Sequence, residues 1–265
     1  MCEIFCFNSN TPKKLNKCLE CFYNHSEEHP HGWGLANMQS NEFVIAKEPI
    51  KATCSEHLKD ILSSPVVGKN VFAHIRLATV GEIISPNCHP FIEADDNNRS
   101  WMLIHNGTIF DYPKLEDYKD KEYGDTDSER ILLYIIDKVN EFESKKGTLS
   151  TIKERFNLLF EIITDLSKNN KLNLMIYDGD LTYIHSNVKD SLYYLNNEEG
   201  FLIATTPLTE DEGWKAVELN KLFGLIDGNI IFESEMHENE FILTEEHEKD
   251  LEEFLNTLNR DGIDD

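Results

Sequence analysis

Apolar and polar positions along the chain fall into three regimes. In the first, Cys2-Glu3-Ile4-Phe5-Cys6-Phe7 is a short apolar run of the kind that forms a buried strand. Residues 8–30 are polar and predict a short helix followed by a loop. Trp33-Gly34-Leu35-Ala36 then starts a second strand, for which Glu42 to Lys47 supplies the hairpin partner. Ser55 caps helical apolar spacing that runs to Leu62. Val71-Phe72-Ala73-His74-Ile75-Arg76 predicts a buried strand ending in a cation. Trp101-Met102-Leu103-Ile104-His105 predicts another, stopping at Asn106-Gly107, which is a turn signal. The second regime is helical. Thr126 with Glu129 forms a capping box ahead of Ile131, Leu132, Tyr134, Ile135 and Val139, and 151–168 repeats the period with Ile152, Phe156, Leu159, Ile162, Ile163 and Leu166 inside. From Lys171 the period changes to two, predicting strands over 172–177, 181–186, 192–195, 201–205, 222–226 and 230–233, with hairpin turns at Asp178-Gly179 and Asp227-Gly228. Residues 245–265 form an acidic tail with a short solvated helix about 251–258.

Composition narrows what such a chain does. At 265 residues and 40% hydrophobic it can bury a full core, and one globular domain over 1–265 is expected. A net charge of -24 without a basic patch argues against nucleic acid and against anionic membrane surfaces. No charged leader precedes an apolar stretch, and no run of about 18 apolar residues occurs, so a cytoplasmic protein is expected. In that reducing setting the six cysteines are thiols. Cys18-x-x-Cys21 followed by His25 and His29 raises zinc, but the cluster is more compact than usual zinc pairs. The favoured reading puts both thiols one helical turn apart on an apolar face. Neither a metal nor a cofactor is assigned.

Cys2 carries the sharpest chemistry. If Met1 is removed, one residue holds both a thiol and an α-amine whose ordinary pKa, about 7.7–8.0, suits proton transfer near neutral pH. Taken alone, a Cys in an apolar strand reads first as a small core residue. Arg76, at the end of a buried strand, needs a carboxylate or an anionic ligand. The glycines of Gly32-Trp33-Gly34 keep the backbone bare for close approach, and Asp127 falls in a first helical turn, where it complements the helix dipole.

Together, Cys2 behind Met1, Gly32-Trp33-Gly34, the run from Ala73 to Thr79, Asn87-Cys88-His89-Pro90-Phe91, His105-Asn106-Gly107 and Thr126-Asp127-Ser128-Glu129 resemble the class II glutamine amidotransferases. These are N-terminal-nucleophile enzymes. Ala204-Thr205-Thr206-Pro207-Leu208-Thr209 with Trp214 looks like the stand-alone branch, which includes a γ-glutamyl amidohydrolase of ergothioneine synthesis and a glutathione-degrading subunit. The resemblance implies an α+β fold, a four-layer αββα sandwich of two stacked antiparallel sheets covered by helices. It implies Cys2 as nucleophile through a γ-glutamyl thioester, with Asn106 and Gly107 as the oxyanion hole. Arg76 would hold the substrate α-carboxylate and Asp127 its α-ammonium, with Thr79 and His89 as further substrate contacts. Leu77 after Arg76 and Val80 after Ala78-Thr79 depart from the glucosamine-forming members. The substrate implied is glutamine or a γ-glutamyl compound, with ammonia passed to an acceptor protein subunit or the bond simply hydrolysed. A γ-glutamyl peptide or conjugate hydrolase and a catalytically silent glutamine-binding subunit are the alternatives.

Overall fold

Alternate residues of the first strand face different cores, and the layering follows from that alternation. The computed structural model describes residues 2–39 and 42–261. Its elements are β1 (Glu3–Lys14), α1 (Asn16–Asn24), β2 (Trp33–Gln39), β3 (Glu42–Glu48), α2 (Glu56–Ser63), β4 (Val67–Ile75), β5 (Phe91–Ala94), β6 (Ser100–Thr108) and α3 (Asp127–Lys146). They continue with α4 (Ile152–Leu166), β7 (Lys171–Tyr177), β8 (Thr182–Ser186), β9 (Tyr193–Asn197), β10 (Gly200–Ala204), β11 (Lys215–Ala216), β12 (Leu222–Ile226), β13 (Asn229–Glu233) and α5 (Glu245–Asp261).

Among the described residues, one sheet runs β11-β9-β10-β1-β4-β2-β3 and the other β13-β12-β8-β7-β6-β5, each antiparallel throughout. Phe5 and Phe7 point outward from the first sheet onto Leu19 and Phe22 of α1 and Leu58 of α2. Ile4 and Cys6 point inward, meeting Phe72, Met102, Ile104 and Met175 between the sheets. On the far side Leu103, Leu172, Leu174 and Ile176 pack against Ile131 and Ile135 of α3 and Phe156 and Leu159 of α4. The result is the expected αββα sandwich. Burying one such Phe or Leu is worth about 1.5–3 kcal/mol, so three continuous apolar layers hold the sheets in register.

Caps fix the helices that brace the second sheet. Thr126 accepts the Glu129 N–H at the start of α3, and Gly147 closes its end in the left-handed conformation. The Glu129 carboxylate does not complete a capping box; it accepts the Tyr123 and Gly124 N–H groups instead. A full box forms one helix later, between Thr151 and Glu154.

Three expectations are corrected. β1 continues to Lys14 through residues that predicted helix and loop, because its ladder to β4 resumes past an irregularity at Lys13–Gly68, with Asn8 and Ser9 buried and the side chains of residues 10–12 and Lys14 exposed. Asn106-Gly107 is not a turn. Both residues lie inside β6, paired with Asn173 and Leu172, and a Cβ on Gly107 would fall 1.9 Å from the Lys171 carbonyl oxygen. Here glycine permits close strand approach, which uses the same residue type as a hairpin. The tail helix spans 245–261 rather than about 251–258.

Candidate active site

At one end of the sandwich the inter-sheet layer stops being apolar. The alternation that sends Ile4 and Cys6 inward sends Cys2 inward as well, and on β4 the inward set is Phe72, His74 and then Arg76, just past the strand end. On β6 the inward row reads Met102, Ile104, Asn106, Thr108, and on β7 it reads Tyr177, Met175, Asn173, Lys171. Pairing of Glu3 with Ile75 and of Thr108 with Lys171 brings these polar ends together. Two contacts join the sheets there: His74 Nε2 lies 3.2 Å from the His105 carbonyl, and the Thr79 and Thr108 hydroxyls are 3.0 Å apart.

The Cys2 sulfur sits 3.4 Å from both the Leu77 amide nitrogen and the Leu77 carbonyl oxygen. Burial pushes its thiol pKa up, while the Leu77 N–H, Arg76 and Lys171 pull it down. Arg76 is 2% exposed, and its guanidinium donates to the carbonyls of Val80 (2.8 Å), Gly81 (3.1 Å) and Glu82 (2.7 Å). Those bonds wrap the 80–82 loop around the cation. The loop is fastened on its other side: the Asp125 carboxylate accepts the Glu82 N–H (3.2 Å) and the Asn87 amide, and Asn87 Oδ1 accepts the Asp125 N–H. His31 Nδ1 accepts the Ala78 N–H at 2.9 Å, holding the intervening turn.

Asp127 opens α3 and is buried, its Oδ2 accepting the Ile109 N–H (2.8 Å) and its Oδ1 the Ser128 hydroxyl (3.1 Å). It lines a cleft of about 340 Å³ shared with Val80, Ile109, Phe110, Tyr112 and Arg130. Asn106 is 2% exposed, and its Oδ1 has no hydrogen-bond partner among the described residues. A buried acceptor left unpaired is costly unless a ligand donates to it. A separate apolar hollow of about 90 Å³ lies away from this chemistry, lined by Ile184, Tyr194, Phe201 and Phe223.

His89 is placed differently from the other predicted contacts. It is buried, with both ring nitrogens unpartnered, and its ring stacks on His74 at 3.9 Å between centroids. Burial keeps both rings neutral, lowering the His74 pKa to about 3 and that of His89 well below its usual range. The segment carrying His89 is seated on Gly34, where a Cβ would meet the His89 carbonyl oxygen at 1.8 Å. The bare backbone of Gly32-Trp33-Gly34 therefore admits a loop of the same chain.

The structure thus gathers Cys2, Arg76, Thr79 and Asn106 at one sheet end, with Gly107 beside Asn106 and Asp127 at the adjoining helix start. Cys18 and Cys21 lie on α1 and pack partly against the outer core, while His25 bonds Glu3 at 2.8 Å and His29 Nδ1 lies 2.8 Å from the His25 carbonyl. Sequence reasoning passed over Lys171, His74 and His31. Lys171 carried a legible signal, a cation at an inward position of the apolar strand Lys171-Leu172-Asn173-Leu174-Met175.

The family model for class II glutamine amidotransferases matches residues 1–201. An uncharacterized protein of Methanocaldococcus jannaschii is 29% identical over 262 residues, covering 88% of this chain and 71% of that one. A Haemophilus influenzae protein, provisionally named a glutamine amidotransferase, is 26% identical over 247 residues and 82% of each chain. Among solved structures, one described as a glutamine amidotransferase of Pseudomonas aeruginosa superposes with a TM-score of 0.60 at 18% identity, covering 87% of this chain and 99% of its own. The fold is the same.

Proposed function

Because the chain belongs to the class II glutamine amidotransferases, we propose that it cleaves the side-chain amide of glutamine, or the γ-glutamyl bond of a related compound, through a thioester on Cys2. With Met1 removed, the residue-2 α-amine takes the thiol proton as the sulfur attacks the γ-carbonyl carbon. The carbon–sulfur bond forms, and the carbonyl oxygen takes up the negative charge. The Asn106 amide and the Gly107 N–H stabilise that charge, which exists only in the tetrahedral intermediate. As the intermediate collapses, the α-amine returns its proton to the leaving ammonia or amine. Water then adds to the thioester and frees the γ-carboxylate.

Recognition of the amino-acid head divides between Arg76, for the α-carboxylate, and Asp127, for the α-ammonium. Arg76 makes three hydrogen bonds to the 80–82 loop, so the same guanidinium that reads substrate holds the backbone beside it. Thr79, tied to Thr108, lines the path between the two sheets. His89, stacked beneath His74, contributes by holding that ring in place. The stand-alone γ-glutamyl amidohydrolases are the branch we favour, with water as acceptor.

One observation carries this reading: a nucleophile, a buried cation and the buried Asn106 side chain converge where two sheets end together. The test is intact mass with N-terminal sequencing, followed by turnover of glutamine and γ-glutamyl compounds by Cys2→Ala. A chain starting at Cys2 and an inactive, folded Cys2→Ala variant are expected. A retained Met1, or a Cys2→Ala protein with full turnover, would overturn the mechanism.

A further inference from the structure

Lys171 is the feature of this end of the sandwich that the mechanism above leaves unused. It is 4% exposed and opens β7 on the inward face, opposite Thr108. Lysine is almost never this buried without a charged or polar purpose. Its place is fixed from several sides. The His105 ring lies 3.1 Å from its carbonyl oxygen, Gly107 passes too close to it for any Cβ, and Thr108 across the ladder is tied to Thr79. Thr79 lies two residues beyond Leu77, whose backbone brackets the Cys2 sulfur. Nucleophile and lysine thus approach the same inter-sheet space from opposite sheets.

We propose that Lys171 is a positioning cation for the Cys2 nucleophile, its ammonium stabilising the negative charge on sulfur during attack. The inference rests on Cys2 being the nucleophile. No bond to Lys171 forms or breaks: the thiol proton goes to the residue-2 α-amine, and the lysine stays protonated throughout. Its charge also disfavours a second positive charge nearby, which keeps that α-amine in its neutral, basic form.

Burial lowers the Lys171 pKa to about 8, and the Cys2 thiol acts against that shift. The titratable groups packed around this space include His74 from β4 and Arg76 just past its end, His105 from β6, Asp127 at the start of α3, His31 ahead of β2, and Cys88 and His89 from the 87–90 loop. Both His74 and His89 are held neutral, and burial pushes the Cys88 thiol up to about 11. Arg76 is the second cation that acts on Cys2, and it is occupied by the 80–82 loop.

The experiment is the pH profile of Cys2 alkylation by iodoacetamide, read at the Cys2 peptide by mass spectrometry, with exposed Cys54 as internal standard. In Lys171→Met the Cys2 rate at neutral pH should fall about tenfold, one unit of thiol pKa, while Lys171→Arg keeps the charge and most of the rate. A Lys171→Met profile coincident with wild type overturns the proposal. In the unmutated protein the coupling can be read in reverse, which removes any dependence on the variant folding. Capping Cys2 removes the negative partner, so labelling of Lys171 by an amine reagent should shift to lower pH; an unchanged Lys171 profile refutes the pairing. If Cys2→Ala keeps turnover, the function itself fails. If Cys2→Ala is dead and the alkylation profile ignores Lys171, only the present proposal fails.

Discussion

Replacing Asn106 by alanine separates catalysis from stability more cleanly than any other change at this site. Its side chain is 2% exposed, yet Oδ1 has no hydrogen-bond partner, so truncation breaks no bond at that oxygen. The folded protein should therefore lose about 1 kcal/mol, mainly the packing of a small amide, because no donor to that oxygen is orphaned by the change. The transition state should lose far more. Removing one oxyanion-hole donor costs about 2.7–4 kcal/mol, or roughly 100–1,000-fold in kcat. Since the charge being stabilised is absent in the ground state, KM should change less than about threefold. Steady-state ammonia release, with urea unfolding of the same preparation, measures both quantities. A kcat within about threefold of wild type, or a loss expressed wholly in KM, would show that the amide does not face the oxyanion.

Two further outcomes follow from the same geometry. Asp127→Asn retains an oxygen for the Ile109 N–H but loses the charge facing the substrate ammonium, so kcat/KM should drop about 10–150-fold in steady-state assays, with the unfolding midpoint little changed; equal activity in both proteins would remove Asp127 from the site. The buried neutral histidines make the fold acid-sensitive: His74 and His185 have pKa values lowered to about 3, below their unfolded values, so the unfolded chain takes up protons first and stability, full above about pH 6.5, is lost as pH falls. Each contributes about 1.4 kcal/mol per pH unit in that window, so His185→Gln should flatten the dependence of urea midpoint on pH by about one proton's worth, and an unaltered slope would contradict it.

How far the sequence disclosed this arrangement depends on which kind of signal each part left. Period-two and period-3.6 patterns located nearly every strand after Lys171 and both bracing helices, because those segments bury one face and the pattern is the burial. The second half of β1 left no such trace, since only Lys13 and Lys14 rejoin the ladder to β4 there, while the side chains of Asn10, Thr11 and Lys14 meet water. Asn106-Gly107 misled for a different reason. A glycine needed for close approach to the Lys171 carbonyl looks the same in one dimension as a glycine needed to turn. Arg76 was legible as a residue out of place, Cys2 and Asp127 each had an ordinary structural reading as well, and the convergence of the three came only from a family likeness. Lys171 was out of place in the same way, but proximity across two sheets is written in no local pattern.

The position of β1 bears on how the protein is made. This strand is synthesised before both of its neighbours, yet in the finished sheet it lies between β4 and β10, with Phe5 opposite Ala204 and the Ile4 N–H donating to the Thr205 hydroxyl at 2.9 Å. One flank is supplied early and the other only after some two hundred residues have been synthesised, a closure of very high sequence separation. Until β10 arrives, the strand bearing the nucleophile has an unpaired edge, and nascent chains with such an edge are open to misassociation. Cysteine activity should therefore be among the last properties a translating chain acquires, which keeps a reactive thiol out of service while the polypeptide is incomplete.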